Sequence, residues 1–386
     1  MRADDLGHSS FEILRKAREL ERAGKEVIHL HIGEPDFKTP DNIVEAAYSA
    51  MKEGFTHYTD PQGILELREA ISWYQKQYRR VEIDPSRIIV TPGAKMMILY
   101  SLLVTVEPGD EVIYTDPGYM SYRSHINLAG GVPVPWKLSA DDGFLHDPDR
   151  LKSLITPRTR AIILNFPHNP TGVTIDGDTL RELMRIAVEN GIYVVSDEIY
   201  SRILFEGEHI SALGLEGSDE FLFLIDGFSK TYAMTGWRIG YGVVPLKFVQ
   251  KVVKLQMSTV SCATSFVQKA AIEAIKGPQD SVDLMVNAFK RRRDITLDIL
   301  RAAGIDYVKP QGAFYVFPNL GVDTDRFAGF LLDEFGVAVL PGSYFGEQGR
   351  GHIRISFANS DEKIREGVSR IIRALEKFNV YKEERR

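Results

Sequence analysis

Lys230 stands in the run Gly227-Phe228-Ser229-Lys230-Thr231-Tyr232-Ala233-Met234-Thr235-Gly236-Trp237-Arg238-Ile239-Gly240. A lysine can form a Schiff base with an aldehyde if its ammonium can lose a proton, which a desolvated or cationic neighbourhood favours. Arg238 supplies a fixed cation, and its guanidinium offers a planar fork of donors suited to a phosphate. Ser229 adds a hydroxyl beside the lysine. Three further segments carry groups that could serve the same chemistry: Asp197 and Tyr200 in Ser196-Asp197-Glu198-Ile199-Tyr200, Asn169 in Phe166-Pro167-His168-Asn169-Pro170-Thr171-Gly172, and the turn Thr91-Pro92-Gly93-Ala94-Lys95. A glycine at a helix start lets backbone N–H groups approach an anion where the helix carries partial positive charge. Arg354, in Ile353-Arg354-Ile355-Ser356, could clamp a carboxylate with two parallel hydrogen bonds. Each group also has an ordinary reading. Lys230 could be a solvated loop residue, Asp197 a strand-end cap and Asn169 part of a plain Asn-Pro turn. Alternation in Ile-Arg-Ile could equally turn Arg354 to water.

The elements that must position these groups are legible as alternating patterns. Short unbroken apolar runs over 87–90, 111–114, 161–164, 192–196, 221–225 and 241–244 predict strands covered on both faces. Helical patterns over 94–105 and 179–190 lie between them, the second with Asp178 as N-cap and Gly191 as stop. A first helix is expected over 10–22 and a strand over 27–32. The alternation argues for an α/β domain with a mostly parallel central sheet flanked by helices. Lys230, Asn169 and Asp197 then fall just beyond strand carboxyl ends, where open α/β sheets bind ligands. From about residue 285 the pattern changes. A charged helix around Lys290-Arg291-Arg292-Arg293, strands over 313–317, 337–340 and 352–357, and a helix over 361–378 read as a smaller α+β part, with a charged end at 381–386.

Bulk properties exclude several classes. The chain has 386 residues, long enough for two or three domains. A net charge of -6 argues against a general nucleic-acid binder, which needs a basic face. One cysteine, Cys262, permits no intrachain disulfide and fits a reducing compartment. The polar first ten residues show no secretory signal, and no apolar run is long enough to span a bilayer. A cytoplasmic location is expected, and neither a membrane nor a nucleic acid is an expected partner. No metal is expected.

The Lys230 motif resembles, at every defined position, the pyridoxal-phosphate (PLP) attachment signature of the class I and II aminotransferases. The other segments occur in that family's order and cover residues from about 27 to 358. The resemblance implies fold type I, with a large PLP-binding domain over 45–285 and a small domain built from 1–44 and 286–386. It implies that Lys230 bonds the cofactor aldehyde and that Ser229, Arg238 and the backbone of Gly93, Ala94 and Lys95 hold the phosphate. Asp197 would pair with the pyridine nitrogen, Tyr200 and Asn169 with the ring oxygen, and Tyr119 would stack on the ring. Arg354, with Gly33 nearby, would bind the substrate α-carboxylate. Tyr58 would reach the phosphate of a second subunit, implying a homodimer with shared sites. A cis peptide before Pro170 is often found in the family.

The implied activity is amino-group transfer from an L-amino acid to a 2-oxo acid such as 2-oxoglutarate, in ping-pong fashion. Lys95 stands where prokaryotic-type aspartate aminotransferases carry a lysine toward the distal carboxylate, which favours a dicarboxylic donor. Tyr119, Tyr122 and Phe11 could instead line a pocket for aromatic side chains, as in aromatic or broad-specificity enzymes. A PLP-dependent lyase on the same fold shares the same motifs. A regulator's effector domain is disfavoured, because about thirty residues before Gly33 leave no room for a DNA-binding domain.

Overall fold

The computed structural model describes residues 10–383, with side chains from 12 to 378. Residues 1–9, the side chain of Phe11 and the charged end from 384 lie outside the described residues. The first strand, β1 (Ile28–His29), is followed by seven strands of one sheet. These are β2 (Ile88–Thr91), β3 (Glu111–Asp116), β4 (Val132–Lys137), β5 (Thr159–Asn165), β6 (Tyr193–Asp197), β7 (Leu222–Gly227) and β8 (Gly240–Val243). Their order across the sheet is β2-β8-β7-β6-β5-β3-β4. β8 runs antiparallel to both neighbours, and every other pair is parallel. The predicted runs therefore form a mostly parallel sheet, and β7 is buried along its whole length, as strands covered on both faces are.

This topology brings the chemistry together. β2, β3, β5, β6 and β7 all point the same way, so the residues after their carboxyl ends share one edge. Register places Asn165 at the end of β5 beside Asp197 at the end of β6, which in turn lies beside Ile225 of β7. The loops carrying Gly93, Tyr119, Asn169, Tyr200 and Lys230 start there.

The remaining strands are β9 (Tyr315–Val316), β10 (Val337–Ala338), β11 (Leu340–Pro341) and β12 (Ile353–Ser356). β11, β12 and β9 make an antiparallel sheet, while β1 pairs in parallel with β10. The N-terminal strand thus docks on the C-terminal part of the chain. The predicted strand over 337–340 is divided between two sheets, and that over 27–32 keeps only two ladder residues. The last helix, Asp361–Glu383, runs on past its predicted end at 378.

One expectation needs correction, and one strand was not foreseen. The helix Gly177–Glu189 is capped by Asp176, whose carboxylate accepts from Thr179 N–H, and not by Asp178. β4 was not among the predicted strands, and its segment Val132-Pro133-Val134-Pro135 carries two prolines. It is an edge strand, and its two prolines lie two residues apart, so their missing N–H groups face the same, unpaired side.

Beneath the sheet edge lies a group of neutral histidines. The His146 ring packs 4.5 Å from Phe166 and 5.2 Å from Trp136. His168 is bonded on one side to Thr115 and on the other to Thr171. Burial holds His146 down at about 3. Its contribution to stability is complete above the unfolded value near 6.5. It is lost as pH falls toward 3, because the unfolded chain takes up a proton that the fold refuses. The difference in unfolding free energy between the parent and His146→Gln is expected to shift by ~1.4 kcal/mol per pH unit between pH 6 and 4. Parallel stability curves in denaturant titrations across that range would contradict a buried neutral His146.

Candidate active site

Lys230 follows β7, and its Nζ donates a 2.5 Å hydrogen bond to Gly33 O. Burial lowers its pKa to about 8; Arg354 and Arg238 push the same way, against Glu34 and Asp197. This amine can therefore shed its proton close to neutral pH, as a carbonyl nucleophile or a general base requires. The segment from Glu34 to Thr39 lies against the lysine loop. Thr235 donates to Glu34, Thr39 donates to Ala233 O, and Trp237 Nε1 donates to Thr39.

Asp197 closes β6 and is 5% exposed. Tyr122 Oη donates to it at 2.8 Å, and Ile199 N–H at 3.3 Å. Burial nevertheless raises its pKa to about 6. A buried carboxyl raised in this way is suited to a cation placed opposite it, such as a protonated pyridine nitrogen. Tyr122 was read as a pocket residue for aromatic substrates. It is instead fully buried and committed to Asp197, with Tyr119 packed edge-on at 5.4 Å.

Asn169 is buried beside this pair. Its N–H donates to Asn165 Oδ1, and its own Oδ1 accepts from Arg354 Nη1 at 3.1 Å. The peptide before Pro170 is cis, as are those before Pro117 and Pro167. Arg354 is 3% exposed, so the water-facing alternative is wrong. β12 turns it inward, where Nη2 donates to His31 O at 2.7 Å and the guanidinium lies 4.2 Å from the Tyr315 ring centre. Its Nε has no partner, a donor left over in a buried place. Tyr315 Oη is bonded to Tyr200 Oη at 2.9 Å. A Cβ on Gly33 would stand 2.7 Å from that Tyr315 oxygen, so only glycine fits there.

The turn at Gly93 is shaped by absences. Gly93 has φ +85, and a Cβ there would lie 2.3 Å from Arg238 Nη2; one on Gly240 would lie 2.3 Å from Ala94 N. The guanidinium thus seats against the start of the helix Ala94–Thr105, with Ser229 on the neighbouring loop. Arg238 itself has φ +53 and donates to Thr235 O at 2.9 Å. This cluster of backbone N–H groups, hydroxyl and guanidinium fits a phosphate. Lys95, exposed at the first turn of that helix, lies 5.5 Å over the Tyr119 ring and makes no ion pair among the described residues. Tyr58 is not brought to the site within one chain; it is 87% exposed.

The sequence profile of the family Aminotransferase class I and II matches residues 25–371. The chain belongs to this family. It is 42% identical, over 96% of its length and 98% of the relative's, to (5-formylfuran-3-yl)methyl phosphate transaminase of Methanocaldococcus jannaschii. Among solved structures it resembles the aspartate aminotransferase of Thermus thermophilus with maleate (TM-score 0.92, 38% identity, 95% of this chain and 96% of that one). The aromatic aminotransferase of Pyrococcus horikoshii is similar at a TM-score of 0.90 and 39% identity, over 95% and 99%. These likenesses establish fold type I and an aminotransferase, and the family's cofactor is PLP. The donor set described above suits that cofactor at each of its polar ends.

One residue beside the site, Tyr315, escaped the sequence reading, and Tyr122 was assigned a different role. Tyr315 was seen only as a strand residue. Tyr122 lies three positions after Tyr119 near the start of the helix Ser121–Leu128, so the two rings face the same way, which was the available signal. Behind the site, Arg79 joins Glu198 at 3.2 Å and Asp226 at 2.7 Å. Burial pushes Glu198 up, but His209 and Arg79 outweigh it and hold the carboxyl at about 2. Among the described residues no helix is long and apolar enough to cross a membrane.

Proposed function

We propose that this aminotransferase prefers a dicarboxylic L-amino acid such as aspartate, with a 2-oxo acid such as 2-oxoglutarate as acceptor. The observation that carries the reading is Lys95. It is a cation without an ion-pair partner among the described residues, beside Tyr119 at the mouth of the site. The similar Thermus enzyme was solved with maleate, itself a dicarboxylate. A second reading, an aromatic donor, is favoured by the Tyr119 ring and by the similar Pyrococcus aromatic aminotransferase.

In this reading Lys230, Asp197 and Tyr200 are the catalytic groups. Ser229, Arg238, Gly93, Ala94 and Lys95 hold the cofactor phosphate, Tyr119 covers the ring, and Asn169 and Tyr200 meet its oxygen. When bound, PLP supplies a carrier for the amino group and an electron sink that lets a Cα proton leave. Arg354, Asn169 and Gly33 seat the substrate α-carboxylate, using the guanidinium nitrogen that has no partner. Lys230 Nζ, able to be neutral near pH 8, takes the proton from Cα and returns it on the other side of the transfer. Asp197 keeps a negative charge where the electron sink must stay protonated, and Tyr122 fixes its orientation. Tyr58, exposed in a single chain, serves the phosphate site of a second copy, which makes the working unit a homodimer in the cytoplasm. The chain divides into 45–285 and the pair 1–44 with 286–386, a division supported by the β1–β10 pairing.

Single amino acids added without any oxo acid test the donor. Aspartate and glutamate should bleach the yellow cofactor band, and phenylalanine should do so weakly. The reverse order would move the enzyme to the aromatic reading, and release of pyruvate with ammonia would indicate a lyase. Lys95→Gln should lower kcat/KM for aspartate about tenfold while leaving phenylalanine unchanged. Equal losses for both donors would remove Lys95 from specificity.

A further inference from the structure

Outside the catalytic site, a cleft of about 300 Å³ opens one residue beyond Tyr200. Its lining includes Tyr78, Arg80, Ser201, Arg202, Glu208 and His209. His209 is spent on Glu198, at 2.6 Å. Arg79, also at its wall, is committed to Gln75, Glu198 and Asp226. Arg202 is different. It makes no ion pair among the described residues; its guanidinium lies 4.1 Å from the Tyr78 ring centre and interacts with the Tyr74 and Tyr78 hydroxyls, while its Nη1 is buried without a partner. The adjacent Ser201 is 6% exposed, and its hydroxyl is also buried without a partner. Buried donors left unmatched are uncommon, because each costs the desolvation of a polar group. Ser201 and Arg202 are adjacent in sequence and both line the cleft, with Arg80 as a second cation, so an acceptor entering it would meet both side chains. Arg354 shows the same signature, a buried guanidinium nitrogen left over, in the site that must bind a carboxylate. The volume is at the lower end of small-ligand pockets.

We propose that this cleft binds the oxyanion head of a small molecule, a carboxylate or a phosphate. Arg202 Nη1 and Ser201 Oγ are its buried donors, Arg80 stands at the rim, and Tyr78 offers a flat apolar face. Glu208 is the opposing charge; it is exposed, so salt screens its repulsion. Because Ser201 and Arg202 follow Tyr200 directly, an occupant here and the catalytic tyrosine share one backbone segment.

The test is calorimetric titration of the PLP-loaded enzyme with inorganic phosphate and, separately, with benzoate. Each titration is repeated in an Arg354→Ala background, where the active-site carboxylate contact is gone. A saturable site should survive in that background and weaken about tenfold in Arg202→Gln. Amino-transfer kcat/KM of Arg202→Gln alone should stay within about twofold of the parent. Binding of phosphate alone assigns a phosphate head, and binding of benzoate alone a carboxylate. Arg80→Ala, an exposed change that leaves the fold intact, should weaken binding about threefold and carries the test should Arg202→Gln not fold. Flat titrations with both probes in the Arg354→Ala background, or affinities untouched by the Arg202 and Arg80 changes, would overturn the proposal.

Discussion

Lys230→Ala is expected to lose amino transfer by on the order of 10⁴-fold while keeping the fold. The size follows from two tasks resting on one amine. In the proposed function the lysine holds the cofactor aldehyde and then carries the Cα proton; no other amine lies among the groups described around Asp197, Asn169 and Arg354. The structural cost is small by comparison. The side chain gives up one hydrogen bond, to Gly33 O, and its removal also relieves the burial that lowers its pKa to about 8. Lys230→Arg separates charge from chemistry. It keeps a cation at this place, but a guanidinium cannot lose its proton near neutral pH, so it should be as inactive as the alanine variant. Absorbance should show the yellow lysine-linked band missing from both, with thermal midpoints close to the parent's. Turnover within about tenfold of the parent in either variant would take Lys230 out of the reaction.

The sheet was readable because parallel strands covered on both faces must be apolar throughout, so β5, β6 and β7 stand out as unbroken runs bounded by turn residues. β4 was not, because the tolerance of its prolines depends on having a neighbour on one side only, a fact about tertiary placement. The choice between Asp176 and Asp178 as cap was equally hidden, since both are good caps and backbone geometry alone decides. In the site, Lys230, Asp197, Asn169 and Arg238 stood out because their segments resemble the class I and II aminotransferase motifs; their places near strand ends left each with an ordinary reading as well. Tyr315 did not, because an aromatic residue in a strand reads as core until its hydroxyl is seen to meet Tyr200, and the partner of Tyr122, Asp197, lies 75 positions away. Arg79 and Asp226, 147 positions apart, could not be paired by any local pattern.

Arg354 was undecidable from Ile-Arg-Ile and is settled by the sheet around it, which determines what its loss should do. β12 is paired on both edges by β11 and β9 and buried at all four residues, so Arg354 turns inward beside Asn169 and His31. Removing a buried charged partner from a carboxylate costs about 2–5 kcal/mol, much of it the penalty of leaving the other charge unpaired. Arg354→Ala is therefore expected to lower kcat/KM for the amino acid roughly 30- to 5,000-fold. The loss should fall on both half-reactions, because the α-carboxylate is present on donor and acceptor alike. Arg354→Lys keeps the charge but loses the fork and the contact with the Tyr315 ring, 4.2 Å away in the parent, so it should recover only a small part. Cofactor binding should be weakened little in both, since Arg354 reaches the proposed cofactor contacts only through Asn169 and does not touch the turn at Gly93. A variant with unchanged kcat/KM for donor and acceptor, or one that loses PLP instead of substrate affinity, would reassign this arginine to a structural role. Steady-state kinetics alongside PLP titration separates the two.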